Sequence, residues 1–257
     1  MLSPAMLQNV IFGQNGALSA ALLWGALLFA PARPVAAGIG AGLLLLKPHM
    51  DIILPVVFLA RRSWRAVAVA IAVAAVLGLL TAATFGAESW ILFWTRTRPL
   101  MVSVMERPWP NGYLVNGVTV FAAARSFGLA LPAAYALQSL STLCAIAAVI
   151  RAWSNPAFSP PLLAAFTVPL ALLATPYAYT YDLVALAVAT AIVMARQGWR
   201  LGPLTMLSWG WPGLSSLFAA RGLLLTPLVL VGFAAVAWRE LQRELDRRGP
   251  TGTFISA

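Results

Sequence analysis

Charge is what this sequence has least of. Only 9% of its 257 residues are Asp, Glu, Lys or Arg, while 61% are hydrophobic. Ordinary soluble domains carry roughly a quarter charged residues, and a soluble core of this length has no room for so much apolar side chain. Cysteine is nearly absent as well. Cys144 is the single one and falls inside an apolar run. That excludes a disulfide framework and a thiolate metal site, and leaves a small packing residue. There is no glycine-rich phosphate loop, no zinc-type ligand spacing and no nucleophile motif, so neither a metal nor a cofactor is expected. The opening MLSPAMLQNVIFGQNG lacks a basic stretch followed by an apolar run and a cleavage site. It does not read as a secretory leader but as the interior of a longer domain.

What is present is long apolar runs. Trp64–Phe85 and Leu131–Ile150 match the length a helix needs to cross a hydrocarbon layer of about 30 Å. Alternating ten-residue segments, the mark of a lipid-facing barrel, do not occur. Only α-helices then satisfy the backbone inside a bilayer. The expected fold is therefore an all-α polytopic transmembrane bundle. The net charge of +10 would point to nucleic acid in a soluble protein. Here the arginines gather at the ends of apolar runs, where topology and lipid headgroups account for them, so no nucleic-acid partner is expected.

Punctuation between the runs places helices near 17–30, 35–46, 51–60, 64–85, 131–150, 161–174, 182–195, 203–220 and 222–238. Several are 10–14 residues long, or roughly 15–21 Å, too short for a full crossing. Short, broken helices are tolerable where their ends open into protein or a water-filled recess, which implies a cavity cut into one leaflet. Arginine placement orients the bundle. With the turns Pro31–Pro34 and Arg61–Arg65, the residues Arg151, Arg196 and Arg200, and the tail on the cytoplasmic side, that side collects eleven of the sixteen arginines. This agrees with the excess of basic residues facing the cytoplasm in inner-membrane proteins. A rival arrangement, with 35–60 as one crossing, buries Lys47 mid-membrane and costs several kcal/mol. In the hinged arrangement FGQNG, KPHMD, the long segment 86–130 and TPYAYTYD all emerge on the outer side. Residues 1–238 form one transmembrane domain and 239–257 a charged cytoplasmic tail. The outer segment has tryptophans among arginines, as an interfacial helix does, with turns at Asn111-Gly112 and Asn116-Gly117.

Candidate chemistry concentrates in those outer stretches. Lys47 and His49 are candidate anchors for an anionic ligand such as a lipid phosphate; a snorkelling lysine in a polar turn is the plain alternative. Asp51 is better read as the cap of a helix starting at Ile52. Asp182 follows PYAYTY and either binds a sugar hydroxyl and positions an acceptor or caps a helix. Tyr177, Tyr179 and Tyr181 can stack on a pyranose face. Gln14 and Asn15, between two glycines, offer an amide pair to a ligand or serve a helix start. Glu88, Glu106, Arg96, Arg98 and Arg107 read as solvated surface over the cavity. Gly38, Gly40 and Gly42 read as helix-packing residues.

In order, FGQNGALSAALLWGALLF, RPVAAGIGAGLLLLKPHMDIILPVVFLARRSWRA, FGAESWILFW and TPYAYTYDLVALAVA resemble the glycosyltransferase family 87 proteins of the GT-C superfamily. The resemblance implies transfer of a hexose, often mannose, from a polyprenyl-phosphate-linked donor to an acceptor on the outer face of the cytoplasmic membrane. It implies that Lys47 and His49 hold the donor phosphate and that Gln14, Asn15 and Asp182 lie around the sugar or acceptor, beside Tyr177 and Tyr181; Asp182 is then the candidate catalytic carboxylate within this chain, the alternative being a base supplied by upstream sequence. Inverting transfer needs such a carboxylate to take the acceptor proton, and cations on the departing phosphate. The family's usual catalytic acid lies in an outer loop after the first transmembrane helix. This chain starts at a point resembling the middle of the family domain, so either that loop lies upstream or the copy is catalytically incomplete. A non-enzymatic carrier or flippase for polyprenyl-phosphate lipids is the alternative class.

Overall fold

The computed structural model describes residues 3–248, and these are all-α, with one isolated β-bridge and no strand. The chain runs through α1 (Pro4–Ile11), α2 (Gly16–Phe29), α3 (Pro34–Leu44), α4 (Pro48–Asp51), α5 (Leu54–Ala60), α6 (Trp64–Phe85), α7 (Glu88–Leu92), α8 (Arg98–Met105), α9 (Val120–Ser126), α10 (Leu131–Trp153), α11 (Pro160–Ala174), α12 (Val184–Arg196), α13 (Pro203–Ala219) and α14 (Thr226–Arg248). Prolines open α1, α3, α4, α10, α11 and α13 at one of the first two positions, where the missing N–H costs nothing and the fixed φ suits the helix.

Several elements depart from the sequence reading. Helix α1 was not anticipated; Ser3 Oγ caps it by accepting from Met6 N, and it packs beside α13. The segment expected as one helix over 51–60 is helical only from Leu54 to Ala60, and Asp51 closes α4 instead of capping a helix from Ile52. The last helix begins at Thr226 and continues past Trp238 to Arg248, so the charged segment is its extension; residues 249–257 lie outside the described residues. Glu240 and Glu244 on that extension are buried, against Gln197, Arg243 and Arg196. Cys144 is mid-helix as expected, but it is exposed rather than packed in the core.

The hinge between α3 and α6 follows the folded-back arrangement. Gly38 faces Ala66 and Val69, and Gly42 faces Ala70 and Val73. Both series climb together, so α3 and α6 run parallel and α5 is the return stroke. A Cβ on Gly38 would stand 2.5 Å from Ala66 O, and one on Gly42 2.5 Å from Val73 Cβ, which is why these positions carry glycine. The turns holding Pro31, Pro34, Arg61, Arg62 and Arg65 share one recess. A single crossing over 35–60 would have put them at opposite ends. Arg61 also reaches Asn155 O, Arg151 stacks on Trp238 and Arg196 pairs with Glu244. The basic turns thus gather at one end of the bundle.

Helix α11 is the hub. Every residue from Leu162 to Ala174 is buried, among α2, α10, α12 and α14. Its C-terminal carbonyls have no partner further along the helix, because the chain turns extended at Thr175. Polar side chains of α10 supply donors: Gln138 Nε2 and Ser141 Oγ to Leu173 O, both at 2.9 Å, and Thr142 Oγ1 to Ala174 O at 2.8 Å. Gln138 Oε1 accepts from Phe121 N at 3.0 Å. One buried amide therefore ties the start of α9 to the end of α11, and so fixes where the next segment, 175–182, begins.

Among the described residues two helices, α6 and α10, are long and apolar enough to cross a membrane, with mean hydropathies of 2.6 and 1.7; α2, α3 and α11 are shorter apolar helices. Within α6 only Ala66 is buried, while Trp64, Ile71, Val76, Leu79, Leu80 and Phe85 are exposed. An apolar surface of this extent marks association with a membrane.

Candidate functional site

The polar outer stretches predicted from sequence meet at the end of the bundle opposite the basic turns. Lys47 follows the last turn of α3, its amide bonded to Leu44 O, and its side chain crosses to the turn after α11. There Lys47 Nζ donates to Asp182 Oδ1 at 2.8 Å. His49 Nε2 stands 3.5 Å from Asp182 Oδ2, an ion-pair separation without hydrogen-bond geometry. Tyr179 N donates to the same Oδ2 at 3.0 Å. Lys47 is 8% exposed and Asp182 1%. The pair joins residues 135 positions apart, so it locks the α3–α4 break to the 175–182 hinge.

Burial alone would raise the proton affinity of Asp182, but the nearby His49 and Lys47 overcome it and hold the carboxyl below its ordinary value. Both of its oxygens are engaged. Asp182 therefore holds the Lys47 ammonium and faces the His49 imidazole at the recess. Asp51 is different. Its Oδ1 has no partner and burial lifts its pKa to about 7. It sits in the hinge, between α3 and α5.

Aromatic rings enclose the pair. Lys47 Nζ lies 4.9 Å from the centroid of Tyr181, and His49 meets Tyr177 edge-on at 5.3 Å. Tyr179 stacks on Tyr181 at 5.4 Å, and Phe12 packs against Tyr181 from the first turn. Burial raises all three tyrosine pKa values, so their hydroxyls remain neutral donors. The outer segment pins the hinge from behind: Val118 N donates to Ala178 O and Thr119 Oγ1 to Pro176 O. The GQNG turn is held by Asn9, whose Oδ1 accepts from Gly16 N at 2.6 Å, and Gly16 presses against Tyr181 O.

In front of this cluster lies an open recess of about 480 Å³. One wall carries Gln14, Lys47, His49, Tyr177 and Tyr181; the other is a stripe of the outer segment, Phe93, Arg98, Met101, Val102 and Met105. The structure thus brings together Lys47, His49, Tyr177, Tyr181 and Gln14 of the residues singled out in the sequence. Asp182 stands behind Lys47, Tyr179 is buried, and Asn15 is exposed and does not line the recess. Sequence reading left Arg98 among solvated surface residues. Its signal was helical spacing, since Arg98 shares a face with Met101, Val102 and Met105 at i+3, i+4 and i+7. Among the described residues no group of acidic, histidine or cysteine side chains is arranged to hold a metal ion.

No curated protein and no solved structure matches the chain. The family model for glycosyltransferase family 87 matches residues 1–176, ending just before the Tyr177–Asp182 turn and covering more than half of the sequence. On that match, this chain belongs to glycosyltransferase family 87.

Proposed function

We propose that the protein transfers a hexose, with mannose the first candidate, from a polyprenyl-phosphate-linked donor to an acceptor at the outer membrane face. Family membership supports sugar transfer. The observation that carries the donor class is the recess itself: Lys47 and His49 on one wall and the apolar stripe of α8 on the other. A phosphate joined to an isoprenoid chain has the same two-sided character, one end ionic and one end apolar. The basic turns gathered at the far end then face the cytoplasm, and α6, with Ala66 its one fully buried residue, faces lipid. Residues 1–238 make up the membrane domain, in a multi-pass arrangement.

In this reading Tyr177, Tyr181 and Gln14 border the sugar, with Asn15 at the rim. The acceptor oxygen attacks the anomeric carbon, the bond from that carbon to the phosphate oxygen breaks, and the lipid phosphate leaves with the bonding pair. Lys47 and His49 stabilise that phosphate. Asp182 first orders these two side chains. It takes the acceptor proton when the phosphate draws Lys47 away and frees Oδ1, since a buried carboxylate relieved of its counter-charge gains proton affinity.

The test is transfer from radiolabelled polyprenyl-phosphate-mannose by protein in nanodiscs, with binding of the donor measured in parallel. Binding with label transfer is the expected result, and Lys47→Ala abolishes transfer. Donor binding without transfer to any added hydroxyl acceptor would move the protein to the carrier class. No donor binding by the wild type overturns the reading.

A further inference from the structure

The recess has two cationic walls of unequal standing. On the inner wall Lys47 is already neutralised, 2.8 Å from a carboxylate that shows no exposed side-chain surface. His49 faces the same carboxylate. Lysine 47 and Asp182 together contribute no net charge to an arriving anion. Arg98 on the outer wall is exposed, lines the recess, and has no carboxylate within ion-pair distance among the described residues. Its nearest recorded partner is the ring of Trp94, one turn earlier, at 5.6 Å. The acidic residues flanking this helical stretch are directed elsewhere: Glu106 accepts from the Tyr135 hydroxyl, and Glu88 does not line the recess.

Placement strengthens the point. Arg98 is the one charge on the α8 stripe formed with Met101, Val102 and Met105, at the end where the helix meets the wider turn Phe93–Thr97. The planar fork of Arg98 presents paired donors that match a phosphate, which a lysine does not. A lipid whose chain lies along Met101, Val102 and Met105 puts its phosphate at the Arg98 end of the stripe.

We propose that Arg98 is the residue that captures the phosphate group, supplying the unneutralised positive charge of the recess. Lys47 and His49 engage the phosphate second, by exchange with Asp182. This deepens the donor reading above and rests on it. It identifies the phosphate as the recognised chemistry, whether it arrives on a lipid or free.

The experiment compares three probes on purified protein: polyprenyl phosphate, the corresponding polyprenol without phosphate, and inorganic phosphate. Wild type should bind polyprenyl phosphate well ahead of polyprenol. Arg98→Ala should lose that preference by about tenfold or more, as expected for one charge-assisted bidentate contact, while polyprenol binding stays unchanged. Arg98→Lys should restore only part of it. Because Arg98 is exposed, the variant keeps the wild-type melting profile, which is recorded alongside. If wild type fails to bind polyprenyl phosphate but binds inorganic phosphate in an Arg98-dependent way, anion capture stands and the lipid donor reading falls. If wild type binds polyprenyl phosphate and Arg98→Ala keeps the full preference over polyprenol, the assignment of Arg98 is overturned while the donor reading survives.

Discussion

Replacing Asp182 with Asn tests whether the Lys47–Asp182 pair holds the site together. The charges lie 2.8 Å apart, with the aspartate fully buried. At an effective dielectric constant of about 20 their attraction is about 6 kcal/mol, before the cost of removing both from water. Breaking one partner of a buried pair typically costs about 3–5 kcal/mol, because the remaining charge is left uncompensated. Asp182→Asn and Lys47→Met should each destabilise by about that amount. The double variant should lose about 2–3 kcal/mol less than the sum of the two single changes, the upper end of the coupling energies seen for contacting residues. The assay is half-inactivation temperature in nanodiscs, suited to membrane proteins that unfold irreversibly. The folded carboxyl lies below its ordinary value, and the unfolded one near 4. The stabilisation is therefore fully present above about pH 4 and is lost as pH falls through the folded value. Single variants melting like wild type at neutral pH, or losses that simply add in the double variant, would refute the reasoning.

Asp51 carries the opposite sign. Its folded pKa is raised to about 7, so wild-type stability falls as pH climbs from about 4 to 7, and Asp51→Asn should gain about 1–3 kcal/mol at about pH 8 and nothing below about pH 4. Equal melting of the two proteins at both pH values would show that the carboxyl is hydrated. Gly42→Ala pushes a methyl group into Val73 and Ala70 O across the parallel α3–α6 contact and should cost about 1–3 kcal/mol. Gly25→Ala, which meets open space, should leave the melting temperature level or slightly higher, and a reversed order of the two would exclude that contact. Gln138→Leu removes the donor to Leu173 O and the acceptor for Phe121 N. It should cost about 2 kcal/mol and speed amide exchange at Phe121 and through residues 175–182; unchanged exchange there would deny it the bracing role.

The sequence was informative where local chemistry decides. Helix α6 was placed with its observed bounds, because the apolar run is uninterrupted and Gly86 ends it with positive φ. The KPHMD break was legible from its proline and from arithmetic on helix length. Helix α1 was missed because eight residues give little periodicity, and its stability rests on packing beside α13 and on a serine cap. Asp51 was misread as a cap, since an acid before an apolar run has the same local signature whether it begins the next turn or ends the last.

The site divides in the same way. Lys47, His49, Tyr177, Tyr181 and Gln14 drew attention as polar residues in apolar surroundings, and they line one recess. That Lys47 is neutralised by Asp182, 135 positions away, was beyond any local pattern, and so was the pairing of that wall with Arg98. Helices α6 and α11 make the contrast sharpest. Composition alone makes both of them apolar on all sides, which fixes that each must be kept from water. Only the tertiary structure decides how: α11 is buried by four neighbouring helices, while α6 meets α3 along a glycine-lined seam and keeps only Ala66 fully buried, with much of its apolar surface exposed. An apolar surface is satisfied equally by protein or by hydrocarbon, and a sequence specifies the need for cover without naming what covers it.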